Sequence, residues 1–327
     1  MKTIVITSIN HPTEQVESWA RLSDFNVVVV GDNKSPDNYH CEGVHFLNME
    51  DQKRLYPDLE RVLPENHYCR KLMGYLYAAN ELKSTVIIDT DDDNAPLDDW
   101  NDGLSLDYQQ VESEKGEWIN IYKHFSEINV WPRGYPVHFN KSFNGIISEE
   151  SMKVDLSQGL CHGDPDVDAI FRLNHHITDV KFKKATPLVL SKHSAFSPTN
   201  SQNTTFVSRI FPLLYLPSTV TFRYTDILRG YLILALKSRW DINIGFRSAD
   251  VFQDRNEHNL ISDLNSEIPM YNDAETIVSD MIEHLESLPR KASISEDMIE
   301  LYRFLNRKNV VQTSELKTLM EWLNAIC

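Results

Sequence analysis

Three β-branched residues, Val86-Ile87-Ile88, run directly into Asp89-Thr90-Asp91-Asp92-Asp93-Asn94, and this junction constrains the chain more than any other stretch. A continuous β-branched run wants burial on both faces, as a strand inside a sheet covered by helices has. Clustered carboxylates want water or a cation, because like charges this close raise one another's pKa. A strand that ends at the carboxyl edge of an open sheet satisfies both demands. The upstream sequence agrees. Thr3–Thr7 is a β-rich run, followed by a turn at Asn10-His11-Pro12 and a helical pattern from Thr13 to Leu22. Val27–Val30 is a second continuous run, stopped by Gly31-Asp32-Asn33, and Gly43–Leu47 reads as a third short strand. Arg70–Leu82 places Leu72, Met73, Leu76, Tyr77, Ala79 and Leu82 at helical spacing before the acidic strand. Strands alternating with helices predict an open, Rossmann-like α/β sheet with helices on both faces, and ligands in such sheets gather beyond the carboxyl ends of the strands.

The rest of the chain divides by pattern. Trp100 to about Ser142 carries little periodic signal, Gly159–Leu173 is polar and then helical, and Ser191–Thr205, rich in Ser, Thr and Asn, reads as a loop over a site. Asp226–Leu236 fits a buried helix. Beyond about residue 260 three helical stripes follow, the first through Ile277, Val278, Met281, Ile282 and Leu285, the second through Met298, Ile299, Tyr302 and Leu305, the third through Leu316, Leu319, Met320 and Leu323. These patterns predict an α/β domain over residues 1–260 and a C-terminal helical extension over 261–327.

Composition limits the function classes. With 327 residues, 41% hydrophobic and 24% charged, the chain is long enough for one large domain or two modest ones and is not a disordered or coiled-coil sequence. Its 48 acidic residues against 32 Lys and Arg, a net charge of -16, disfavour nucleic-acid binding, which needs the opposite balance. Cys41, Cys69, Cys161 and Cys327 are too far apart for a zinc knuckle or a redox pair. No apolar run reaches bilayer length and none resembles a secretion signal, so a cytoplasmic protein without a transmembrane segment is expected, with peripheral membrane association left open.

The acidic junction points to a hard divalent cation. Asp91 and Asp93 have the Asp-x-Asp spacing that brings two carboxylate oxygens to one Mg²⁺ or Mn²⁺, as do Asp89 and Asp91. An acidic turn that merely caps a helix is the competing reading. The chain contains neither a P-loop nor G-x-G-x-x-G, which leaves P-loop ATPases and dinucleotide oxidoreductases poorly supported.

A wider set of motifs carries a resemblance. Thr7-Ser8-Ile9-Asn10-His11-Pro12-Thr13, Val28-Val29-Val30-Gly31-Asp32-Asn33-Lys34-Ser35-Pro36 and Pro64-Glu65-Asn66-His67-Tyr68-Cys69-Arg70-Lys71 precede the acidic motif. Gly163-Asp164-Pro165-Asp166-Val167-Asp168, Asn200-Ser201-Gln202-Asn203-Thr204 and Phe222-Arg223-Tyr224-Thr225-Asp226-Ile227-Leu228-Arg229 follow it. In this order, over most of residues 3–260, they resemble the STELLO family, and more distantly the reversibly glycosylated polypeptides, which are UDP-arabinopyranose mutases. The resemblance implies a GT-A-like fold with a nucleotide sugar at the strand ends and Mn²⁺ or Mg²⁺ on the acidic motif.

On that resemblance Thr7, Ser8, Asn10 and Asp32 are expected beside the base or ribose, and Asp92 with them. Arg70 and Lys71 are expected to face the diphosphate. Asp91 and Asp93 hold the metal, with His193 completing its shell. Asp166 or Asp168 serves as the base for an inverting transfer, and a retaining enzyme needs no such base. Asp164, Arg223, Asp226 and Arg229 line the acceptor side. Each has an ordinary alternative: Asp32 as a turn residue, Arg70 and Lys71 as solvated helix charges, Asp164 or Asp166 as a cap, His193 as a structural histidine, Asp226 and Arg229 as a helix ion pair. His162 and the pair His175-His176 are weaker metal candidates. The expected activity is metal-dependent transfer of a sugar from a nucleotide-sugar donor, UDP-linked, to a glycan or lipid-linked oligosaccharide, as in bacterial surface polysaccharide synthesis. A UDP-sugar mutase and a non-catalytic glycosyltransferase scaffold are the alternatives, and the oligomeric state stays open.

Overall fold

The computed structural model describes residues 1–113, 117–175, 179–254 and 259–326. Its strands are β1 (Lys2–Thr7), β2 (Asn26–Val30), β3 (Val44–Leu47), β4 (Val86–Thr90), β5 (Asn94–Pro96), β6 (Tyr108–Ser113), β7 (Gly145–Met152), β8 (Leu156–Gly163), β9 (Leu188–Leu190), β10 (Asn203–Val207) and β11 (Ile244–Gln253). They form one sheet in the order β3-β2-β1-β4-β10-β8-β11-β9-β6-β7, with β5 paired to β11. The first four strands are parallel. Strand β10 is inserted antiparallel between β4 and β8. This is a mixed α/β, GT-A-like architecture with a helical C-terminal part.

The β-branched runs are strands because both of their faces are covered. Ile4, Ile6, Val27, Val29 and Ile88 pack with Val16 and Trp19 of the helix Glu14–Ala20. The alternate residues Val5, Val28, Val30 and Ile87 pack with Leu72, Met73 and Leu76 of the helix Lys71–Leu76. That second helix lies close on the sheet, since a Cβ on Gly74 would sit 2.6 Å from methyls of both Val5 and Val30. Gly74→Ala is therefore expected to destabilise the fold by about 1–3 kcal/mol, although alanine is the better helix former. Urea unfolding checks this, and an unchanged midpoint would mean that the helix can lift off the sheet without penalty.

Strand β1 is hydrogen-bonded to β2 on one side and β4 on the other, so the chain leaves it in one direction and returns on the other. The crevice beyond the carboxyl ends of β1, β2 and β4 is the topological switch point of the sheet.

Ser191–Thr205 departs from its expected character as a covering loop. Ser197, Thr199, Asn200, Ser201 and Gln202 are buried, and Asn203 begins β10 in the middle of the sheet. Burial is tolerated because the polar groups satisfy one another. Gln158 Nε2 donates to Asn200 Oδ1 at 2.9 Å while Asn200 N donates to Gln158 Oε1 at 2.9 Å.

The three C-terminal stripes form the helices Ile277–Glu286, Ile294–Arg307 and Glu315–Ile326, preceded by Leu260–Asp273, which contains Pro269 and has no stripe of its own. Their apolar faces join the same core cluster as the sheet. Two polar ties fasten the last helix. Glu315 accepts hydrogen bonds from Ser218 N at 2.9 Å and Thr219 N at 2.7 Å, and Trp322 Nε1 donates to Pro212 O at 2.9 Å. Among the described residues no helix is long and apolar enough to cross a membrane. Cys41, Cys69 and Cys161 are free thiols, and Cys327 lies outside the described residues.

Candidate active site

A cavity of about 470 Å³ opens at the switch point. Its wall includes Thr7, Ser8, Asn10, Asp32, Arg70, Asp91, Asp92, Asp93, Asp166, Arg223 and Asp226, all expected there from sequence, together with Ile9, Tyr68, Arg133, Gln202, Phe222 and Gln253. Pockets of this size suit a small-molecule ligand.

The acidic motif spreads its carboxylates in three directions. Asp92 turns back to the end of β1, where Ser8 Oγ and Asn10 Nδ2 donate to its Oδ2 and Thr13 Oγ1 donates to its backbone carbonyl at 2.7 Å. Asp91 Oδ1 accepts from Tyr68 OH at 2.9 Å and Lys71 Nζ at 3.0 Å. Asp93 Oδ2 accepts from Gln253 Nε2 at 2.8 Å, and its Oδ1 is buried without a hydrogen-bond partner. Burial, reinforced by the negative charge of Asp91, pushes the Asp93 carboxyl up to about 7. Burial also raises Asp91 despite the ammonium of Lys71 beside it. Among the described residues no three His, Cys, Asp or Glu side chains cluster as a ready metal site. The pair Asp91 and Asp93 nonetheless fits a hard cation, for each is anchored through one oxygen and the partnerless Oδ1 of Asp93 lacks a counter-charge.

Lys71 lies beneath this motif, fully buried and not in the cavity wall. Its ammonium contacts Asp89 Oδ1 at 2.6 Å, Thr90 O at 2.6 Å and Asp91 Oδ1 at 3.0 Å. Arg229, expected on the acceptor side, is also internal, with Nη2 at 2.8 Å from Asp89 Oδ2. The reason is charge: a fully buried Asp89 needs both cations. Burial alone would raise the Asp89 carboxyl, and the two cations outweigh it and hold it below its ordinary value.

Arg70 is likewise buried. Its Nε donates to Gln52 Oε1 at 2.9 Å, and Gln52 Nε2 donates to the carbonyls of Gly31 and Leu47, so the guanidinium sits by the ends of β2 and β3. It belongs to the wall near Asp32, whose Oδ2 accepts from His67 N at 3.2 Å.

The opposite wall is organised by Arg133, a residue with no distinguishing sequence signal. Its guanidinium grips two carboxylates at once. Nε and Nη2 meet Asp166 at 2.7 and 2.9 Å, and Nη1 and Nη2 meet Asp226 at 3.0 and 2.9 Å. Such forked contacts fix both partners in orientation as well as charge. Arg223 is fixed from the C-terminal part, with Nε and Nη2 at 2.9 and 2.7 Å from Glu267 Oε1.

Besides Lys71 and Arg229, three further expected residues are placed elsewhere. Asp168 caps the helix Ala169–Asn174 through Phe171 N at 2.7 Å and accepts from Trp131 Nε1 at 2.7 Å, so its burial, which pushes it up to about 6, serves the cap rather than an acceptor. Asp164 pairs with Arg172 and does not line the cavity. His193 contacts Ser238 Oγ at 3.0 Å and lines a separate hollow of about 260 Å³ with Lys192 and Arg239, not the wall with Asp91 and Asp93. Of the weaker candidates, His162 Nδ1 accepts from Phe182 N at 3.2 Å, His175 stacks on Phe171, and His176 lies outside the described residues.

No family model matches the chain. It is 28% identical over 258 residues to the probable glycosyltransferase STELLO2 of Arabidopsis thaliana, an alignment covering 70% of this chain and 32% of that protein. To the probable glycosyltransferase STELLO1 of the same plant it is 29% identical over 258 residues, with the same coverage. The chain thus spans about a third of the length of the curated relatives it matches. Along that stretch it is similar to the STELLO proteins, and the cavity described above is the candidate site the chain offers.

Proposed function

We propose that this chain transfers a sugar from a nucleotide-sugar donor to a glycan acceptor, with a divalent cation between Asp91 and Asp93. The names of the two relatives support the reaction class. One observation supports the cation. The cavity wall carries six aspartates, at 32, 91, 92, 93, 166 and 226, against four cationic side chains, Lys34, Arg70, Arg133 and Arg223. A diphosphate entering so acidic a space is repelled unless a counter-ion enters with it. Bound there, Mg²⁺ or Mn²⁺ supplies that counter-charge and stabilises the departing diphosphate.

The chain's own residues do the positioning. Ser8 and Asn10 hold Asp92 and keep the end of β1 at the cavity, where Thr7 and Asp32 face the nucleoside. Lys71 and Tyr68 hold Asp91. Asp166 and Asp226 are oriented by Arg133, and their carboxylate oxygens are the acceptors offered to sugar hydroxyls. Asp166 is the better placed of the two sequence candidates to meet an acceptor hydroxyl, since Asp168 is committed to its cap. The donor is taken to be UDP-linked and, for a bacterial chain, the product a surface polysaccharide.

Calorimetric titration of UDP and other nucleoside diphosphates, with Mn²⁺ and with EDTA, tests this reading. Binding is expected only with metal, and Asp93→Ala is expected to weaken it by about tenfold or more, the loss of one charged contact. Metal-independent binding, or none with any nucleotide, would overturn it.

A further inference from the structure

We propose that Phe222 is the platform on which a pyranose ring of the acceptor glycan stacks, and so a specificity-determining residue; this rests on the transferase reading above. Phe222 is 57% exposed, and across the same cavity Ile9 is 50% exposed. A phenyl ring left this open usually reflects a loose segment, and here the segment is tied down on both sides. Thr221 Oγ1 donates to Ser266 O at 2.6 Å, Arg223 is held by Glu267, and Tyr224 OH donates to Asp273 Oδ2 at 2.8 Å. All three ties go to the helix Leu260–Asp273. The ring is also fixed toward the acidic motif, meeting Tyr68 edge-on at 5.4 Å and 69°, while the Tyr68 hydroxyl is on Asp91.

The surroundings choose the occupant. The apolar rim is one ring and one isoleucine, far below the area an acyl chain or membrane surface would require. The adjoining wall, Asp166-Arg133-Asp226, carries one guanidinium for two carboxylates and so repels phosphate-bearing lipids and nucleic acid. A neutral pyranose fits both features. Its C–H face lies against the negative face of the phenyl ring, and its hydroxyls donate to Asp166 and Asp226.

The full chain, its Phe222→Ala variant and its Phe222→Trp variant would be applied to an oligosaccharide array, with UDP and Mn²⁺ affinity measured in parallel. Phe222→Ala is expected to lose about tenfold in glycan binding and Phe222→Trp to retain it, the scale of a single aromatic contact, while UDP affinity stays within about twofold in both. Glycan binding undiminished in Phe222→Ala, no glycan bound by the parent chain, or a parallel fall in UDP affinity would each overturn the assignment. Glycan binding that depends on Phe222 in a chain that binds no nucleotide would uphold the platform and overturn the transferase reading instead.

Discussion

Lys71→Met is expected to destabilise the protein by about 3–5 kcal/mol at neutral pH, the usual consequence of deleting one partner of a buried ion pair. Methionine fills most of the same volume, so the loss is electrostatic. Of its two cations Asp89 would keep Arg229, the Thr90 carbonyl would lose the Lys71 ammonium as a donor, and Asp91 would keep Tyr68 of the two side chains that hold its Oδ1. The pH dependence identifies the cause. In the parent chain burial acts to raise Asp89, and Lys71 with Arg229 hold it below its ordinary value. Its contribution to stability is therefore complete above that ordinary value and is lost as pH falls through the folded-state value. In the variant the burial effect prevails, the folded-state value moves upward, and protonation relieves the strain as pH falls. The gap between the two proteins should narrow from pH 7 toward pH 4 in urea titrations. A gap independent of pH would show that packing, not charge, accounts for the loss.

The parts of this structure that were legible in the sequence are those where one physical demand acts alone. Val27–Val30 and Val86–Ile88 are apolar on both faces, and nothing but a covered strand satisfies them. The acidic residues 91–93 had to emerge where such a strand ends. Strands β10 and β11 were not legible, because they carry polar residues into the interior whose partners are remote in sequence. Asn203 Nδ2 reaches Asp250 Oδ1 at 2.8 Å, and Arg247 Nε reaches Ser157 Oγ at 3.1 Å. Arg133 was missed for the same reason, lying 33 residues from Asp166 and 93 from Asp226 in a stretch without periodicity. Lys71 and Arg229 read from sequence as ligand-facing cations, since nothing local reveals that Asp89 is buried and claims them both. His193 precedes the polar stretch that folds inward and lines a different hollow with Lys192 and Arg239.

Arg133→Met should produce a second loss of about 3–5 kcal/mol, and here the damage is repulsion rather than isolation. Without the guanidinium, Asp166 and Asp226 are two buried carboxylates sharing the space it occupied, and one of them must take up a proton or the wall must open. Proton uptake predicts that the variant recovers relative to the parent as pH falls, because the raised carboxyl is neutralised before unfolding. Two companion variants separate the contributions. Arg133→Lys keeps the charge and loses the fork, so it should recover only part of the stability. Asp226→Asn in the Arg133→Met background removes the repulsion and should recover more than Asp226→Asn costs in the parent chain, a coupling that a double-mutant cycle reads directly. Simple additivity in that cycle would mean that the two aspartates are held apart by their other contacts and that Arg133 is not what shapes the wall. A positive coupling would place the Asp166-Arg133-Asp226 cluster at the centre of the cavity's architecture, where a hydroxyl-bearing ligand would meet carboxylates already aimed.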